Sequence, residues 1–266
     1  MLSKSRLTTL EEMLKRTVRL NGLLVPVKAI ESALCNYVHP LVVWNHDETY
    51  SVGLIGSGIA IHYRDKYLLL CTRHQLKALA GRSYEDVGLL DKDGHSFCSA
   101  GGIRHYLNHL NEVDLHDLVV FDFTEPCQAR PYMRERFFNF ESLPPDTLSD
   151  QIIGFVASGY PVKEQDYGLT EDEKHLGLRR AQVVCSLAPY NEQPKEDPTL
   201  LRLTPMDQLR FDPDGMSGGA AFVVQFVNGL PHAYLAGMIV RAGANSLYIL
   251  KAVFIQKFIE WWLDQN

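Results

Sequence analysis

The sequence predicts a mainly β protein built of antiparallel strands, with helix confined to its two ends. Three observations carry that expectation. From about residue 40 to residue 250 the apolar residues come in short runs broken by polar, glycine or proline turns, and many short strands at close spacing indicate antiparallel barrels. Over residues 3–20, by contrast, Leu7, Leu10, Leu14 and Val18 recur at helical spacing, with Glu11 and Glu12 ahead of Lys15 and Arg16, as in an amphipathic helix. At the far end Phe254, Phe258, Ile259, Trp261 and Trp262 make the apolar face of a closing helix.

In chain order, helical character extends from residue 3 to about Leu34, interrupted by Gly22 and Pro26, so residues 1–38 form an N-terminal helical extension. The first strands are Leu41–Trp44, Val52–Ile55, Gly58–Tyr63 and Tyr67–Thr72, the last two joined by a hairpin turn at Arg64-Asp65-Lys66. Val87–Leu90, Ile103–Leu107 and Leu118–Phe123 follow, which assigns residues 39–126 to a first barrel. Residues 127–149, with Pro131, Pro144 and Pro145 among mixed charges, read as a connection. A second barrel occupies residues 150–266. It opens with Ile152 to Pro161, passes a polar insertion between Val162 and Leu178, and continues through Val183–Leu187. A loop at Glu192–Thr199 precedes the strands Ala220–Val227, Ala233–Arg241 and Leu247–Leu250.

Composition bounds the function. The chain has 266 residues, 46% hydrophobic and 22% charged, as in a globular protein. A net charge of −6 and the lack of a Lys/Arg block give no reason to expect nucleic acid. No apolar run has the length of a membrane span, and the N-terminus lacks the apolar stretch of a secretion signal. The five cysteines, at 35, 71, 98, 127 and 185, form no CxxC pair. They read as reduced thiols of a cytoplasmic protein, with Cys71 in the core.

The stretch carrying chemistry is Asp212-Pro213-Asp214-Gly215-Met216-Ser217-Gly218-Gly219, which leads directly into the apolar run from Ala220. A serine between glycines on such a turn is exposed, and neighbouring backbone N–H groups can converge on an oxyanion. Chain order then discriminates among hydrolases. After Ser217 the only histidine is His232, with no Asp or Glu between them, so the Ser, acid, His order of the α/β-hydrolases fails. The order His, Asp, Ser is available in Gly56-Ser57-Gly58, Tyr67 to His74, Asp117-Leu118-Val119-Val120 and Gly215 to Gly219.

Together these segments resemble the trypsin-like serine proteases of the chymotrypsin fold, over roughly residues 40 to 260. In that family a GSG-initiated strand, a hydrophobic strand ending in T-x-x-H, a strand opening on Asp and G-x-S-G-G carry the triad. The resemblance implies two antiparallel six-stranded β-barrels, with His74 and Asp117 from the first and Ser217 from the second. It also implies an intracellular serine endopeptidase that cleaves peptide bonds through an acyl-enzyme, with backbone N–H of Gly215 and Ser217 as oxyanion hole. Phe211, six residues before the serine, and the strand residues Val240, Arg241 and Ala242 take the place of the substrate-binding wall. Asp114 and Asp122 are rivals of Asp117, which stands at the strand start.

Two departures from the family are visible. Gln75 follows His74 where secreted trypsins have a disulfide cysteine. Met216 stands where animal trypsins have the aspartate that receives a newly cut amino terminus, so activation by that insertion is not expected. A competing cluster, His105, His109, Glu112, Asp114 and His116, puts two histidines four apart but lacks HExxH, and reads as an exposed polar loop. No metal or cofactor is expected. The expected partner is a protein or peptide substrate, with a regulatory protein as a further possibility. A catalytically idle or partner-regulated binding module, and an esterase, are the alternative functions.

Overall fold

Strands buried on both faces organise the molecule, and they explain why the apolar runs read as continuous rather than alternating. The computed structural model describes residues 16–47, 51–91, 96–105, 117–140, 151–169 and 174–264. The strands are β1 (Thr17–Leu20), β2 (Leu23–Pro26), β3 (Val38–Trp44), β4 (Val52–Tyr63), β5 (Lys66–Thr72), β6 (Val87–Leu90), β7 (Phe97–Ser99), β8 (Gly102–His105) and β9 (Leu118–Asp122). Then come β10 (Phe138–Asn139), β11 (Ile152–Gly159), β12 (Asp166–Leu169), β13 (Lys174–Gly177), β14 (Ala181–Leu187), β15 (Leu200–Pro205), β16 (Ala220–Val227), β17 (Leu230–Gly243) and β18 (Ser246–Lys251). Among the described residues three α-helices accompany them: α1 (Ile30–Cys35), α2 (Thr124–Ala129) and α3 (Ala252–Asp264).

The first sheet runs β7-β6-β3-β4-β5-β9-β8, with β10 added in parallel to β4. The second runs β16-β11-β14-β15-β18-β17, and β16 also pairs with β17, so these six antiparallel strands close into a barrel. The expectation of two closed barrels is therefore met in the second half alone. Among the described residues β8 and β7 do not pair, and the first sheet stays open as a half-barrel.

Period-two alternation sends each strand into two cores. Ile59 and Ile61 of β4, Leu68 and Leu70 of β5, and Leu118 and Val120 of β9 face a shared core between the sheets. Ala220, Phe222 and Val224 of β16 enter the same core from the other side. The intervening residues Ala60, Leu69, Cys71, Val119 and Phe121 fill the first sheet's own interior. Ala221 and Val223 join Phe155, Cys185, Leu203 and Ile249 inside the barrel. The fully buried Phe222, between Tyr37 and Phe138 at ring-centroid distances of 6.4 and 5.3 Å, holds the centre of the shared core. The same core takes one face of α3, through Ile255, Phe258, Ile259 and Trp262. Glu260 fixes the helix by accepting a 2.6 Å hydrogen bond from Tyr63 Oη. Trp261, expected on the apolar face, is 52% exposed.

Two expectations need correction, and two further segments hold structure that was not expected. The expected N-terminal helix lies outside the described residues up to residue 15, but beyond that point the chain is a hairpin. β1 and β2 pair antiparallel around Asn21-Gly22, and β1 lies parallel to β17 with Arg19 opposite His232. Asn21 and Gly22 have φ of 49° and 79°, the left-handed pair that a two-residue hairpin requires, and Val18 and Leu20 are buried in the shared core. Helix appears later, as α1. The connection at 127–149 is not irregular where it is described. α2, a 3-10 helix at Pro131–Arg136 and β10 pack Cys127, Met133, Phe137 and Phe138 into the cores. The insertion between Val162 and Leu178 contains a separate two-stranded sheet, β12 with β13. β15, a strand not expected from the sequence, links β14 to β18 and is needed to close the barrel.

Candidate active site

The site lies where the end of β5 meets the turn that precedes β16. β5 ends at Thr72, which caps a 3-10 helix, Arg73–Leu79, that carries His74 outward into solvent. Thr72 stands two residues before His74, so the T-x-x-H spacing of the resemblance is not met; Cys71 occupies the third position. Asp117 immediately precedes β9, the neighbour of β5, with Thr72 opposite Leu118. That register places the carboxylate beside the histidine.

Asp117 holds His74 at two points. The His74 backbone N–H donates to Asp117 Oδ1 at 2.9 Å, and Nδ1 lies 2.6 Å from Asp117 Oδ2. A carboxylate is an acceptor only, so Nδ1 carries the proton and Nε2 is left as the basic nitrogen. Thr72 Oγ1 stands 3.5 Å from Nε2. The His74 side chain is 44% exposed, as a proton carrier working on an external substrate needs to be. The rivals separate from this pair. Asp122 lies at the opposite end of β9, where it accepts from Thr124 N and meets Lys66 Nζ at 3.6 Å. Asp114 lies outside the described residues.

Ser217 sits on a turn whose backbone is tightly specified. Met216 N donates to Pro213 O at 3.0 Å, Gly218 N to Ile239 O at 2.7 Å and Gly219 N to Met216 O at 2.9 Å. Gly215 and Gly218 adopt φ of 94° and 80°, and a Cβ on Gly218 would meet Gln75 Oε1 at 2.7 Å. Among the described residues the N–H groups of Gly215 and Ser217 donate to no protein acceptor, while their carbonyls are engaged. The two donors named from the sequence are thus free for an incoming oxygen. Met216 is fully buried in the barrel core, so its side chain points into the protein.

The serine hydroxyl makes its hydrogen bond to Val240 O, at 3.2 Å, and none to His74. Val240 is buried, Ala242 is half-buried against the barrel core, and Arg241 is exposed. Phe211 packs half-buried against that core and offers no charge. Asp212 is occupied by Lys163 Nζ at 2.6 Å, a hydrogen bond that holds its carboxyl below the ordinary range. Near Ser217, then, Phe211 and Ala242 are apolar and half-buried, while Arg210, Asp214 and Arg241 are exposed charges.

Sequence reasoning assigned no role to Ser57 and Gln75, although both stood within or beside the motifs. Ser57 Oγ donates to Gly215 O and accepts from Tyr160 N, each at 2.7 Å. Gln75 accepts from Thr72 N at 3.1 Å through Oε1 and donates through Nε2 to Ser217 O. Gln75 is buried, at 7% exposure, although its neighbours Arg73, His74 and Lys77 give the sequence no sign of it. Of the competing metal cluster, His105 lies on β8 and the other four residues lie outside the described residues. Among the described residues no group of three His, Cys, Asp or Glu is arranged to hold a metal ion. Among them also, no helix is long and apolar enough to cross a membrane. No protein-family model matches the chain, and no curated protein sequence is significantly similar to it.

Proposed function

We propose that the chain is a serine endopeptidase of the trypsin-like kind, acting through His74, Asp117 and Ser217. The observation that carries this reading is the two-point grip of Asp117 on His74, with Nε2 left basic beside a serine turn that has two free N–H donors. Catalysis starts with rotation of Ser217 about χ1, from Val240 O toward His74. Oγ attacks the scissile carbonyl carbon while its proton passes to Nε2, and Asp117 steadies the resulting imidazolium. The carbonyl oxygen becomes an oxyanion and takes the N–H groups of Gly215 and Ser217. Collapse breaks the C–N bond as Nε2 returns the proton to the leaving amine. Water, deprotonated by His74, then releases the acid and restores Ser217. Phe211, Ala242 and the backbone of Val240 to Ala242 would receive the substrate strand, an apolar residue facing Phe211. Five free, buried thiols suit a reducing, intracellular setting.

A second reading, a partner-regulated protease-like module, draws on one observation: the Ser217 hydroxyl rests on Val240 O rather than on His74. A peptide and ester substrate panel, run with Ser217→Ala and Asp117→Asn, tests the proposal. Peptide turnover that falls by about 10⁴-fold in Asp117→Asn supports it. Ester turnover alone would favour an esterase, and turnover unaffected by Ser217→Ala would defeat the triad.

A further inference from the structure

Two side chains of the first sheet hold the back of the nucleophile turn, and one of them also holds the segment that carries the base. Ser57 Oγ donates to Gly215 O, and Gln75 Nε2 donates to Ser217 O. Peptide planarity then limits where the N–H groups can point, because each trans peptide directs its C=O and N–H to opposite sides. With the carbonyls of Gly215 and Ser217 turned inward to the first sheet, Met216 N and Gly218 N turn to Pro213 O and Ile239 O. The N–H groups of Gly215 and Ser217 belong to the peptides whose carbonyls, on Asp214 and Met216, accept from Val162 N and Gly219 N, and among the described residues they donate to no protein acceptor. The space for this grip is made by the absence of side chains: a Cβ on Gly56 would collide with Gln75 Nε2, and a Cβ on Gly218 with the carbonyl oxygen of Ser57.

We propose that Gln75 is a positioning residue that couples the base to the nucleophile across the two sheets. Its Oε1 takes the N–H of Thr72, the cap of the helix bearing His74, while its Nε2 takes the carbonyl of Ser217. The Gln75 amide supplies an acceptor on one side and a donor on the other, which a carboxylate cannot do. Loss of the donor leaves the Ser217 carbonyl without its side-chain partner, and the Ser217–Gly218 peptide can then turn, which moves the Ser217 backbone and with it one of the two oxyanion donors. The kinetic consequence rests on the hydrolase reading; the tether itself does not.

The test compares the full-length wild type with Gln75→Glu, which keeps the acceptor and removes the donor, and Gln75→Met, which removes both. Rates of labelling by a fluorophosphonate are measured beside amide hydrogen exchange of the segment 212–221 and thermal unfolding. The expected result is labelling slower by roughly 100-fold, with the apparent binding constant of the probe unchanged. Exchange should quicken at 212–221 while the strands of the first sheet exchange as in the wild type. If Gln75→Met does not fold, Gln75→Glu decides. Wild-type labelling rates together with unchanged exchange in a folded variant would overturn the proposal. A wild type that never labels would instead remove the hydrolase reading, and the exchange result would still decide the tether.

Discussion

His39 should make the protein acid-sensitive by an amount that can be worked from its surroundings. It lies in β3 at 5% exposure, with Nε2 3.1 Å from Arg136 O and Nδ1 3.0 Å from Arg136 Nη2. A guanidinium only donates, so Nδ1 accepts and Nε2 carries the proton. A second proton on Nδ1 would break that bond and set two cations together in the interior. Burial, then the charges of Arg136 and Arg180, push the imidazole down from 6.5 to about 3. The folded state thus refuses a proton that the unfolded chain accepts near pH 6.5. The stability tied to neutral His39 is complete above that pH and is lost as pH falls from 6.5 toward 3. Between pH 6.5 and pH 5 the loss amounts to about 1.5–2 kcal/mol, a large part of an ordinary domain's stability. His39→Gln keeps a donor and an acceptor for Arg136 but cannot titrate. Urea unfolding at pH 7.5, 6.5, 5.5 and 5.0 measures both proteins, and the wild type should lose that amount more than the variant, whatever the variant costs at pH 7.5. Parallel losses in the two proteins would refute the reasoning.

Two further outcomes follow from burial and backbone geometry. All five thiols are buried, and burial raises each, Cys127 and Cys185 to about 12. Ellman's reagent at pH 8 should therefore find no rapidly reacting thiol in the native protein and five in guanidinium; a fast native thiol would contradict the packing. Gly218→Ala should destabilise by about 2–5 kcal/mol, since left-handed strain adds to a clash with the first sheet. Gly229→Ala, at φ 76° with nothing within 4 Å of the added methyl, should cost about 1–2 kcal/mol. Equal thermal shifts in the two variants would count against the tight packing at Gly218.

The long central strands β3 to β5, β9, β11 and β16 to β18, the closing helix and the pairing of His74 with Asp117 were legible because they depend on local pattern and on chain order. An apolar strand that ends beside the histidine, and a neighbouring strand that opens on Asp117, need one register to meet, and the register of β5 with β9 supplies it. The N-terminal hairpin was missed through the choice of period. Val18 fits the spacing of Leu7, Leu10 and Leu14, but the Asn21-Gly22 pair that turns β1 into β2 is itself a strong local signal. The open first sheet could not be read at all, because closure depends on whether β8 reaches β7 and no residue pattern records that distance. Gln75 and Ser57 were likewise hidden. Their partners are main-chain carbonyls 142 and 158 residues away, and backbone acceptors leave no mark in a sequence.

The central claim, that Ser217 is a nucleophile served by His74, is tested most directly by intact-mass analysis of the full-length chain after exposure to a fluorophosphonate. No activating protease is added, because Met216, apolar and buried, offers no carboxylate to a new amino terminus. A single adduct is expected, mapped to Ser217, absent from Ser217→Ala and slowed by about 10³-fold or more in His74→Ala. An unlabelled intact chain, or an adduct that forms equally well without His74, would contradict it.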